Sequence, residues 1–179
     1  MKKVGLFALF VPVAVLAAGL FGVLHDQISY SVSAEYFTRF KFVQFRLLDP
    51  GVPERIRACE VGFLAAWWMG VALGIACGLA GFVQRSPDLM WRALIWSVWL
   101  GVGLTLTAAL AGLFYGWHQT ETIDLANYGG WFIPPGLANL RRYLCAGYMH
   151  NAAYLGGALA IPAVWLFHLV FRLRTASQQ

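Results

Sequence analysis

Four stretches of the chain, 4–24, 61–84, 93–117 and 143–171, are apolar and hold no Asp, Glu, Lys or Arg. A helix needs roughly 17–25 residues, at 1.5 Å each, to cross about 30 Å of hydrocarbon. Every one of the four is long enough. The pattern predicts an all-α membrane protein: a single four-helix transmembrane domain over 1–179, with two structured loops, 25–57 and 118–142, outside the cytoplasm. No linker or low-complexity segment divides it.

The interruptions carry their own signals. The turn at Ser86-Pro87-Asp88 is short, so the second and third spans form an antiparallel hairpin. In the first loop, Ile28, Tyr30 and Val32 alternate with Ser29, Ser31 and Ser33, which suggests a short extended piece. Ser33 then caps a helix with Glu35 in its first turn. On that helix Tyr36, Phe40, Val43 and Leu47 share one face, and Phe42 and Phe45 fall among Arg39, Lys41 and Arg46, a mixture suited to a membrane interface that reads as a lid packed on the bundle and partly in headgroups, with a lipid-recognition surface as the alternative. Turn chemistry at 49–53 ends it. In the second loop, aromatics mix with chain breakers over 128–136, as in an interfacial loop.

In the second span Gly62, Ala66, Gly70, Gly74 and Gly78 recur every fourth residue, and Gly112 and Gly116 repeat the spacing in the third. Small residues at this interval let helices approach closely where lipid supplies no hydrophobic drive. Internal packing is the expected use, and a homodimer or another membrane-complex partner is the alternative.

Composition agrees with the pattern. The chain of 179 residues is 60% hydrophobic and 12% charged, against about 25% charged in a soluble domain. Disorder and an ordinary cytosolic enzyme are excluded. The net charge of +5 is scattered, without a basic stripe, so the partner is the lipid bilayer and not nucleic acid. Cys59, Cys77 and Cys145 form no CxxC pair. Cys59 and Cys145 are close enough to one predicted side for a disulfide, but two free thiols are the expectation. Lys2, Lys3 and the small residues 17–19 resemble a signal peptide, yet the apolar run exceeds an h-region and reads as a retained helix. Lys and Arg are denser in the short tails and turn than in the two long loops, which places both termini in the cytoplasm.

The scarce polar groups collect on one side. Of the eight acids, all but Asp88 lie toward the loops, as do His25, His118 and His150. His118 and Glu121 stand three apart, so on a continuing helix they point the same way. With His25 and His150 they make a candidate site for zinc, iron or copper. Asp26 and Glu60 are candidate proton-transfer residues, and Asn151 and Tyr154 candidate orienting groups for a cofactor. The competing reading is a hydrogen-bonded polar rim that satisfies helix ends. His168, near Arg172, reads as an isolated interfacial residue.

The segment His25-Asp26-Gln27-Ile28-Ser29-Tyr30, followed by Glu35-Tyr36-Phe37-Thr38 and the aromatic stretch to Phe45, resembles the first-loop signature of a family of uncharacterised bacterial four-span membrane proteins. Residues 148–157 are similar to that family's last helix. The resemblance implies a bacterial inner-membrane setting and no known activity. Disulfide–quinone redox proteins, rhomboid-like proteases and membrane phosphatases lack their motifs here. A proton- or ion-coupled transporter and a non-catalytic subunit stand beside an enzyme on a membrane-associated or periplasmic substrate.

Overall fold

The computed structural model describes residues 2–176. Four helices are long and apolar enough to cross a membrane: Lys2–Val32, Glu54–Val83, Pro87–Gln119 and Leu140–Ala176. They form an all-α four-helix bundle. Each helix runs past its charge-free core, because tertiary contacts satisfy the polar residues at its ends. Pro87 occupies the first turn of the third span, behind Ser86, whose side chain accepts from the Leu89 amide.

The bundle is two tight helix pairs set loosely against each other. The first and second spans form one pair, the third and fourth the other. Glycine is the reason. A Cβ on Gly62 would stand 2.2 Å from the Gly22 carbonyl oxygen, and one on Gly70 would stand 2.5 Å from Val15 Cα. In the second pair, Gly112 abuts Ala152 and Tyr148, and Gly156 abuts Ala108 and Thr105. The glycine stripe of the second span is thus used inside the molecule, against the first span. Trp165 links the pairs by donating to the Ala76 carbonyl at 3.0 Å.

One end carries the tails. Lys3 donates to the Gln84 carbonyl, and Arg172 to that of Val83 at 2.6 Å. The other end carries the long connections. There the first span corrects the sequence reading: residues 28–32 are helical, not extended. Their alternation arises because the helix faces different neighbours in turn. Ile28 packs toward Ala109 and Met149. Tyr30 donates to Glu54, and Arg55 reaches Gln27 Oε1 at 3.2 Å. Ser33 ends the helix and caps the next, accepting from the Tyr36 amide at 3.2 Å. Residues 34–44 then form a cap of two short α-turns around a π-helical turn, Phe37–Lys41.

The cap packs on the bundle as the expected lid, through its buried rings. Phe37 and Phe42 are fully enclosed with Tyr143 and Leu144. The second loop docks on it. Glu35 accepts the Ala138 and Asn139 amides at 2.8 and 2.9 Å, and Tyr143 donates to the Phe132 carbonyl at 2.7 Å. These two amide bonds hold the Glu35 carboxyl below its ordinary range.

Two measurements check this packing. Gly62→Ala should lower stability by about 1–3 kcal/mol in thermal unfolding in detergent, because backbone blocks the methyl. Gly103→Ala, which meets nothing within 4 Å, should change it by less than about 1 kcal/mol.

Glu35 gives a pH signature. Its pKa is lowered on folding, so its contribution is complete above the ordinary glutamate range, about 4.3. It is lost as pH falls through the lower folded value. Hydrogen-exchange protection at Ala138 and Asn139 should hold from pH 7 to 5 and fall below pH 4. Glu35→Gln should lose roughly fivefold protection at pH 7 and show no such step.

Candidate metal centre beneath the cap

His25 and Asp26 are adjacent on the first span, and His150 lies on the fourth, ten residues past Leu140. The helical pairing brings all three to one buried point. Their relative exposures are 4%, 3% and 7%. His25 Nδ1 donates to Asp26 Oδ1 at 2.9 Å. His150 Nε2 lies 3.8 Å from the same oxygen and 3.2 Å from Ser29 Oγ. Ser29 is one helical turn beyond His25 and Asp26, so its hydroxyl shares their face. The two imidazoles meet edge to face, with centroids 4.6 Å apart.

The cap closes the top. Tyr36 stacks on His150 at 4.8 Å, and Phe37 packs against the same ring at 6.2 Å. Burial pushes the Tyr36 phenol up, so the ring stays neutral over the imidazole. Lys41, at the end of the π-turn, is buried with its ammonium over the Phe40 ring at 4.8 Å and donates to Gln44 at 3.2 Å. Burial pushes its pKa down, and the attraction of Asp26 opposes that shift.

Two polar atoms of the cluster have no hydrogen-bond partner among the described residues: His25 Nε2 and Asp26 Oδ2. Because His25 gives its Nδ1 proton to the carboxylate, its Nε2 is a bare lone pair when the ring is neutral. Both orphans are therefore acceptors. A buried acceptor without a donor costs about 1–3 kcal/mol, more when charged. Among the described residues, His25, Asp26 and His150 are the group whose potential ligand atoms all lie within 4.8 Å of one another.

The other predicted site residues are placed elsewhere. His118 and Glu121 do share an interaction, at 3.3 Å, but their side chains are 76% and 62% exposed and outside the buried group. The third span ends at Gln119, in the open, so nothing carries its last turn under the cap. Glu60 is exposed on the second span, and Asn151 is exposed on the fourth. Tyr154 lines the cavity below the cluster. Cys59 and Cys145 are free thiols; Gln27 reaches the first at 3.2 Å, and Thr120 lies 3.5 Å from the second.

His168 corrects its reading as an interfacial residue. It is fully buried. The Gln84 amide donates to its Nδ1 at 3.1 Å and to its carbonyl at 2.9 Å, and its Nε2 meets Ser97 Oγ at 2.9 Å. Ser97 passes its own proton to the Ala93 carbonyl at 2.9 Å. Both imidazole nitrogens are satisfied, so this second cluster ties the turn at 84 to the third and fourth spans.

Sequence reasoning did not find Ser29, Tyr36 or Lys41 as parts of the site. Ser29 was legible, four residues after His25, once 28–32 was read as helix. Comparison with protein-family models, curated proteins and solved structures gave no match.

Proposed function

We propose that this multi-pass membrane protein is a metalloprotein of the bacterial inner membrane, with its centre at His25, Asp26 and His150 on the periplasmic side. The observation that carries the reading is the burial together of two imidazoles and a carboxylate whose potential ligand atoms all lie within 4.8 Å of one another. A cation shared by the three side chains would match the buried carboxylate. Two imidazoles and a carboxylate form the donor set of catalytic zinc and of non-haem ferrous sites, and copper also takes imidazole. Ligand atoms on such an ion stand roughly 3.5 Å apart. The set spans up to 4.8 Å, so it would contract by about an ångström on binding.

Three protein ligands leave a coordination position open. An ion there would polarise a substrate oxygen or lower the pKa of a bound water. Ser29 would orient His150, and the Tyr36 ring would exclude bulk water. The substrate would be membrane-associated, since the cap closes the centre toward the loops and the cavity opens it toward the bundle interior.

A proton or ion relay is the weaker reading. Between this cluster and the one at His168 the cavity wall is mostly Ala, Gly and other apolar residues, with no continuous chain of hydrogen-bonding groups.

Metal analysis of the purified protein tests the proposal. About one equivalent of zinc, iron or copper per chain is expected. His150→Ala and Asp26→Asn should each weaken binding at least tenfold with helical content retained. His118→Ala combined with Glu121→Gln should leave it unchanged. Absence of stoichiometric metal, or equal occupancy in His150→Ala, would overturn it.

A further inference from the structure

The loose seam between the helix pairs encloses a cavity of about 150 Å³ lined by all four spans. Packed clusters bound it. Phe10, Met90, Leu94 and Val164 fill the tail end, and Ala109, Met149 and Ala153 pack near the loop end. Between them the glycines have room: a Cβ on Gly101 or on Gly157 would meet nothing closer than 4.0 Å. That contrasts with the jammed glycines inside each pair.

The cavity is long and narrow. Its lining runs along the first span from Phe10 to Asp26, about 24 Å at helical rise. That is most of the depth of the hydrocarbon. The walls are almost wholly apolar, and the loop end finishes at His25, Asp26 and His150. Tyr154, in the lining and 50% exposed, marks where the cavity meets the lipid-facing surface.

We propose that the cavity seats a single-chain amphiphile with an anionic oxygen head, its chain between the helix pairs and its head at the His25–Asp26–His150 centre. The inference rests on the metal reading of that centre and names the class of molecule that meets it. Shape selects the chain: the slot is elongated and apolar, and since about 150 Å³ is less than a full hydrocarbon tail fills, a tail entering it must part the loosely packed helix pairs. Charge selects the head. A divalent ion held by one carboxylate and two neutral imidazoles keeps one positive charge uncompensated. In a water-poor site that charge is costly unless an anion joins it. A carboxylate or phosphate oxygen at the open position supplies the anion, whereas an alcohol does not.

The test uses the full-length protein in phosphatidylcholine nanodiscs, with a diazirine-bearing palmitate as the probe. Cross-links are mapped by peptide mass spectrometry, and metal is measured on the same samples. Saturable labelling of cavity residues such as Met69, Leu73 and Val102 is expected. The matching diazirine hexadecanol should label them about tenfold less. Gly101→Leu and Gly157→Leu, which fill the slot, should cut labelling at least fivefold while keeping the metal. Gly103→Leu, on the lipid-facing side of the third span, should not. Unlabelled palmitate or hexadecyl phosphate should compete, and the stronger competitor identifies a fatty acid or a phosphate lipid as the source. Labelling confined to lipid-facing residues, no effect of filling the slot, equal labelling by the alcohol, or no competition by either anion would overturn the inference. Slot labelling in protein that never holds metal would instead fail the metal reading and leave chain occupancy standing.

Discussion

The carboxylate of Asp26 is the constraint around which the structure is arranged. It lies in a membrane-spanning helix, 3% exposed, where an ionised group costs several kcal/mol unless it is matched. The first span offers His25 on the preceding residue and Ser29 one turn later. The fourth span brings His150, and the cap holds Lys41 nearby. Even so, among the described residues, one carboxylate oxygen and one imidazole nitrogen have no hydrogen-bond partner. That imbalance is what the proposed cation would relieve.

The surrounding fold makes that place by using packing unevenly. Glycine lets the first and second spans touch backbone to backbone, and the third and fourth do nearly the same. Little close packing is left for the seam between the pairs. At the tail end the gap is closed by Phe10, Met90 and Leu94 and tied by Gln84, His168 and Ser97. At the loop end it is closed by the cap, whose Tyr36 lies directly on His150. The middle stays open. The buried centre and the apolar slot therefore share one cause, tight pairs that meet loosely.

Much of the fold was legible because the membrane makes it so. Stretches free of charge marked the four spans, and small residues every fourth position marked the closest helix contact. Ser33 as a cap was equally plain. Local pattern failed where a neighbour decided the outcome. Ile28, Tyr30 and Val32 alternate like a strand, yet they lie on a continuing helix, Ile28 packing toward one cluster and Tyr30 and Val32 toward another. His118 and Glu121 have ligand spacing and do pair, but the helix end that holds them projects into the open. His25, Asp26 and His150 stand out one by one in the sequence, and the fold brings the three together. His168 looked isolated because its partners, Gln84 and Ser97, are distant in sequence. Helical periodicity describes one helix at a time, and the site is a contact between two.

Whether His25, Asp26 and His150 bind one metal ion together is tested most directly by crystals of the zinc-loaded protein, with diffraction recorded on both sides of the zinc absorption edge. One anomalous peak is expected within coordination distance of all three side chains, beneath the Tyr36 ring. A peak at His118 and Glu121 with none at the buried cluster, or no peak in the bundle at all, would contradict it.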